Sequence, residues 1–125
     1  MGILNKSKDT ILVKDIEIAD SAFRKAVGLM FRKNLRNNRG LLMTFGNESR
    51  PGIWMLGMRF PIDLVFIDRR KRVVDLRENI KPMGLNPGTW RVHYPRKSVR
   101  YVLELNKGMI SRTGTGIGDV LEFQA

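Results

Sequence analysis

Apolar residues in this chain fall in short runs separated by glycine, proline, asparagine and charge, a pattern that predicts strands joined by turns with little helix. Residues 1–9 read as a loose tail. Thr10 to Ala19 mixes β-branched residues with charges at Lys14, Asp15 and Glu17, as expected of a first strand exposed on one face. From Asp20 a helix is predicted, capped by Asp20 or Ser21, with Phe23, Ala26, Val27, Met30 and Phe31 at helical spacing. Gly28 interrupts that face and either ends the helix or admits a closely packed strand. Arg32 to Gly40 is a polar basic loop, Leu41 to Phe45 a short buried strand, and residues 46–52 a loop leading to Ile53-Trp54-Met55. Pro61 to Asp68 is the central strand, turning through Asp68-Arg69-Arg70-Lys71 into an antiparallel return over Arg72 to Leu76. Residues 81–88 form a loop long enough to cover a cleft. Val99 to Asn106 is a further strand, Asn106 caps a short helix through Met109, Ile110 and Arg112, and Asp119 to Phe123 is the final strand. The sum is an α+β, β-rich single domain over residues 1–125. It is a mostly antiparallel sheet or small open barrel with two short helices.

Two acids break the apolar runs. Asp63 is flanked by Ile62, Leu64, Val65, Phe66 and Ile67, and an unpaired carboxylate on such a strand is strongly unfavourable. Its compensation is structural, through an arginine or backbone amides, or functional, as a binding or catalytic carboxylate. Arg32 and Arg59 are the candidate partners. Asp63 with Arg32 is either a buried ion pair fixing the strand against the first helix, or the polar floor of an apolar pocket walled by Trp54, Met55 and Phe66. Strand alternation groups Asp63 with Val65 and Ile67, and places Leu64 with Phe66 on the other face, which takes Phe66 away from that pocket. Glu104, between Leu103 and Leu105, is the second acid. Asp63 and Glu104 could act as an acid/base pair or hold a hard cation only if both faced one cleft. Alternation equally allows Glu104 to face solvent beside Arg100 or Lys107.

Composition narrows the chemistry. With 125 residues, 42% hydrophobic and 28% charged, the chain has the make-up of one ordinary globular domain. The absence of cysteine excludes disulfides, thiolate nucleophiles and Cys-ligated metal centres. His93 is the only histidine, which excludes a His-rich metal site and leaves a surface or capping role for it. Gly114 to Gly118 lacks phosphate-loop spacing and runs into a strand, so it reads as a glycine turn with Asp119 accepting from local amides. No catalytic residue, metal or cofactor is assigned. No apolar run approaches the roughly 20 residues of a membrane span, and the start lacks a signal-peptide core, so a cytoplasmic location is expected.

A net charge of +11 favours polyanionic partners. The bases gather in three groups: Arg32, Lys33, Arg36 and Arg39; the hairpin tip Arg69, Arg70, Lys71 and Arg72; and Arg91, Arg96, Lys97 and Arg100. Trp90 and Tyr94 bracket Arg91 in the third group, a mixture suited to stacking on unpaired bases rather than reading a duplex groove. Charged hairpin tips also arise simply to keep sheet edges soluble.

The ordered motifs Gly28-Leu29-Met30-Phe31-Arg32, Gly40-Leu41-Leu42, Trp54-Met55, Pro61-Ile62-Asp63, Phe66-Ile67-Asp68, Val102-Leu103-Glu104-Leu105, Gly108 and Gly118-Asp119 resemble domain-of-unknown-function family 192, also known as uncharacterised protein family 0127. The resemblance runs from about Ile16 to Phe123. It implies a compact β-rich domain of prokaryotes and brings no established reaction, cofactor or substrate. Many relatives carry a Lys-Asn-Thr type segment after the Trp-Met pair, where this chain has Leu56-Gly57-Met58-Arg59. Arg59 is the nearest cationic substitute.

The leading expectation is a binding or accessory domain, not an enzyme. Its pocket lies near Arg32, Trp54, Met55 and Asp63, with Arg59 and Glu104 as further contacts to an unidentified small ligand. The alternatives are a basic RNA or single-stranded nucleic-acid binder and a carboxylate enzyme using Asp63 and Glu104.

Overall fold

A computed structural model of the chain describes residues 1–21, 24–25, 28–30 and 32–124. A central sheet carries, in spatial order, β3 (Asp15–Ala19), β4 (Arg39–Ser49), β9 (Val99–Asn106), β6 (Ile62–Ile67) and β7 (Val73–Ile80). β3 and β4 run parallel; the other neighbours are antiparallel. The sheet keeps two edges and stays open, so the fold is the β-rich α+β sheet and not a barrel. β9 is its middle strand and β6 lies beside it, one place from where the sequence puts the centre.

Both faces of this sheet are covered, which explains why every residue of β6 is buried. On one face, Leu42, Val65, Ile67, Leu103 and Leu105 pack beneath a second sheet of β1 (Ile3–Asn5), β2 (Thr10–Val13) and β10 (Leu121–Glu122), and beneath helix α1 (Met109–Thr113). On the other, Leu41, Met43, Ile62, Leu64, Phe66 and Val102 pack under Leu29, Leu35, Met55 and Met58, with the ribbon β5 (Ile53–Trp54) and β8 (Val92–His93) alongside. Each fully buried Leu, Ile or Phe contributes about 1.5–3 kcal/mol relative to exposure.

The hairpin at Asp68 forms as its residues require. Asp68 Oδ1 accepts from the amides of Arg70 and Arg72 at 2.9 and 3.0 Å, and Lys71 takes a left-handed φ of 64°. The tail over residues 1–9 is not loose: β1 lies between β10 and β2, and Ile3 and Asn5 are fully buried. The strand expected from Thr10 to Ala19 breaks at Lys14 into β2 and β3, which belong to different sheets. Asn106 does not cap α1. Its side chain donates to the carbonyls of Leu35 and Arg36, and Gly108 in a left-handed conformation stands at the cap. Of the helix expected from Asp20, positions 23, 26, 27 and 31 lie outside the described residues. Ser21 Oγ accepts from Arg24 N at 3.1 Å, Ser21 O from Lys25 N at 3.0 Å and Arg24 O from Gly28 N at 2.8 Å, and Gly28 then turns left-handed at φ 50°.

Candidate functional site

Asp63 solves its burial with backbone amides. The pairing of β6 with β7 jumps from Ile62–Ile80 to Leu64–Arg77, so that two residues of β7, Glu78 and Asn79, face Asp63 alone. The Asn79 amide donates to Asp63 Oδ1 at 2.9 Å, and the Ile110 amide in the first turn of α1 donates to Oδ2 at 3.0 Å. Because Gly108 has no side chain to cap α1, Asp63 supplies the missing acceptor from another strand. Arg32 does not pair with it: the guanidinium lies 2.9 Å from Glu17 Oε2. Arg59 is exposed and forms no ion pair among those of the described residues.

Glu104 points the other way. β9 pairs with β6 so that Leu105 faces Asp63 and Glu104 faces Leu64, and successive side chains alternate between sheet faces. Asp63 is thus directed at the α1 layer and Glu104 at the opposite core, which removes any chemistry that needs both carboxylates in one cleft. Neither does Glu104 face solvent beside Arg100 or Lys107, since it is only 4% exposed.

Glu104 instead lies in the wall of a slot of about 110 Å³ with Lys25, Gly28, Leu29, Met30, Met43, Gly52, Ile53, Trp54 and Met58. A Cβ on Gly28 would lie 3.7 Å from both carboxylate oxygens, in ordinary contact, so this glycine stands directly beside the acid. Among the described residues, Glu104 Oε2 is the buried side-chain oxygen or nitrogen without a hydrogen-bond partner. Burial pushes its pKa up from the usual 4.5 to about 7, against the Arg32 charge, which pulls the other way. The Lys25 ammonium at the slot is already engaged, 3.1 Å from Thr44 O and 4.5 Å from the centre of the Phe45 ring.

Trp54 forms one side of the slot and is half-exposed; Val92, its cross-strand partner, continues an apolar shelf outward. A Cβ on Gly52 would come within 2.6 Å of Val92 Cγ1 and 2.8 Å of the Tyr94 ring, so both side chains rest on that glycine. Of the residues singled out from sequence, Trp54 and Glu104 meet in the slot. Met55 packs in the core behind it, Arg32 reaches it only through its charge, and Asp63 and Arg59 lie elsewhere. Lys25, Gly28, Leu29, Met30, Met43, Gly52, Ile53 and Met58 were not singled out as site residues. Gly28, Leu29 and Met30 do stand within one quoted motif, and Met58 within the segment that departs from the family pattern.

Other polar groups are committed to structure. Asp75 is 1% exposed; burial raises its pKa, but Arg77 at 2.7 Å and the amides of Arg96 and Leu76 outweigh it and hold the carboxyl below its usual range. Asp119 accepts from Asn5 Nδ2 at 2.9 Å, from Lys8 Nζ at 2.8 Å and from Gly116 N at 2.8 Å; these donors likewise overcome burial and lower its pKa. Of the basic residues, Arg69 and Arg70 are exposed at the hairpin tip, Lys71 folds over the Phe123 ring, and Arg96 lies 3.5 Å from Asp75. Arg72, Arg91 and Lys97 are exposed and Arg100 half-buried. Trp90 and Tyr94 are exposed, and the Trp90 indole donates to Gly84 O at 2.8 Å. No group of three metal-ligating side chains occurs among the described residues, and none of their helices is long and apolar enough to cross a membrane.

The same architecture recurs in solved structures. A protein of Sinorhizobium meliloti 1021, provisionally described as a transcription regulator, superposes with a TM-score of 0.83 at 29% identity, over 97% of this chain and 89% of that one. A protein of unknown function from Novosphingobium aromaticivorans also gives 0.83, at 22% identity over 98% and 84%, and shares the fold. A UPF0127 protein of Pyrococcus horikoshii is 32% identical over 97% of both chains, and one of Thermococcus sibiricus is 30% identical over 98% of this chain and 74% of its own. The family model DUF192, described as Uncharacterized ACR, COG1430, matches residues 3–123, and the chain therefore belongs to that family.

Proposed function

We propose that the protein is a small-ligand binding domain whose site is the slot between Trp54 and Glu104. The observation that carries this reading is Glu104 itself. A buried oxygen without a donor costs about 1–3 kcal/mol, and a carboxyl in a concave wall that is apolar apart from Lys25 is the polar fixture by which such sites orient a ligand. Leu29, Met43, Ile53 and Met58 supply the apolar contact area, and the half-exposed Trp54 borders the opening. A larger depression of about 590 Å³ lies over Leu4, Ile11 and Phe123, but its polar members Lys14, Glu122 and Gln124 are exposed and need no ligand. Backbone NMR during titration with six-carbon amine, amide and carboxylate fragments tests the assignment. Shifts centred on Leu29, Met43, Trp54 and Glu104 support it, whereas shifts centred on Leu4 and Ile11, or none, contradict it.

A second reading is sequence-tolerant binding of RNA or single-stranded DNA. It is favoured by the exposed Trp90 and Tyr94 flanking Arg91 in a chain of net charge +11, and by the description of the S. meliloti neighbour. A mixed oligonucleotide should then bind at low salt and dissociate steeply as salt rises. No binding at low salt removes this reading.

A further inference from the structure

The slot carries two ionisable side chains, Glu104 and Lys25, in an otherwise largely apolar wall. The cations near Glu104 have other partners, and its Oε2 is left without a donor. Lys25 is held by Thr44 O and the Phe45 ring, and Arg32 by Glu17. We propose that the slot takes a primary ammonium carried on an apolar body, with the ammonium against Glu104 and the body passing Trp54 onto the Val92 shelf. This inference rests on the slot being a binding site.

Three features select that chemistry. Glu104 Oε2 lacks a donor, and an ammonium brings three together with the missing counter-charge. Apart from Lys25, which is engaged by Thr44 O and the Phe45 ring, the remaining wall of Leu29, Met30, Met43, Ile53 and Met58 offers an anion little in exchange for its water, whereas thioethers and the Trp54 ring tolerate or attract a cation. The volume of about 110 Å³ holds several non-hydrogen atoms, so a longer body must leave the slot, and the half-exposed Trp54 and Val92 are the apolar surface it meets.

Ammonium binding requires the ionised carboxylate, which couples affinity to pH. Below about 7 the buried Glu104 is largely protonated, and each ammonium bound releases a proton to solvent. The charged groups around it are Lys25 in the slot wall and Arg32, which acts through its charge, with Glu17 on β3 and Arg77 on β7 at the ends of the same rung across the sheet. Glu17 is paired with Arg32 and Arg77 with Asp75. His93, opposite Ile53 on β8, titrates below an ordinary histidine because of burial and the charges of Arg91 and Arg77; a Glu104 variant separates its contribution.

The test titrates hexylamine, hexanamide and hexanoate into the Trp90→Phe protein, so that Trp54 alone reports, between pH 5.5 and 8, and repeats the series with Glu104→Gln added. Hexylammonium should bind tightest, gain close to tenfold in affinity per pH unit below about 7 and level above it; with Glu104→Gln it should bind at least about tenfold more weakly and without pH dependence. Hexanamide or hexanoate binding as tightly, or hexylammonium binding that ignores pH, overturns the ammonium assignment while leaving the slot a binding site. Silence from all three probes overturns both.

Discussion

Asp63 and Glu104 stand one register step apart on adjacent strands, Asp63 opposite Leu105 and Glu104 opposite Leu64, yet their side chains leave the sheet on opposite faces. The two acids therefore have different fates. Asp63 receives two backbone amides and ties a β-bulge to a helix end; Glu104 receives no donor on Oε2 and lines a slot.

Removing the Asp63 charge should loosen both attachments. In Asp63→Asn one amide hydrogen must confront a donor N–H, at a cost of about 1–3 kcal/mol, and Asp63→Ala leaves both amides bare and costs more. Urea denaturation measures the loss, and amide exchange at Asn79 and Ile110 should accelerate ahead of the rest of the sheet. Unchanged exchange at those two amides contradicts the role.

Glu104 should behave in the opposite sense. Its carboxyl titrates higher folded than unfolded, so the native state holds an extra proton between 4.5 and about 7, and stability falls as pH rises through that window. Above it the penalty is constant, of order 3 kcal/mol. Glu104→Gln should accordingly be more stable than the parent at pH 8 by up to that amount, and the gap should narrow toward pH 4.5. Denaturation midpoints at the two pH values decide.

Asp119 gives the mirror image. Asn5, Lys8 and Gly116 hold its pKa below the ordinary 3.8, so its contribution is present above that value and lost as pH falls through the lower folded value. Asp119→Asn should destabilise at pH 7 by about 1–3 kcal/mol, and the difference from the parent should shrink in strong acid. Because Asn5 and Lys8 belong to the N-terminal segment, the same variant should speed amide exchange in β1.

Gly28→Ala tests the space above the acid. At φ 50° an L-residue is strained by about 1 kcal/mol, and the new methyl would lie 3.7 Å from both Glu104 oxygens and 3.4 Å from Met43 Cε. Modest loss of stability with a larger loss of slot binding is expected; calorimetry with hexylamine separates the two.

The sequence showed most of the sheet because its strands announce themselves locally. The β6–β7 hairpin carries its own turn residues, and the alternation of Asp63 with Val65 and Ile67 against Leu64 and Phe66 matches the two cores. What it hid depends on distant partners. Ile3 to Asn5 is too short to read as a strand until Leu121 and Glu122 lie beside it. The donors to Asp63 come from 16 and 47 residues away, and no local pattern marks a backbone amide as available, so an arginine looked the natural partner. The phase of Glu104 is fixed by its neighbours Leu41 and Leu64, not by its own strand. The slot stayed invisible because it is assembled from Gly28 to Met30, Met43, Gly52 to Trp54 and Met58, segments united only by the folded core.

The central claim is that Glu104 is a buried acid open to a ligand. Carbon-detected NMR titration of its carboxyl, with and without hexylamine, measures this directly. A midpoint near 7 in the free protein that falls when hexylamine is present is the predicted result. A midpoint near the ordinary 4.5, or one unmoved by hexylamine, would contradict it.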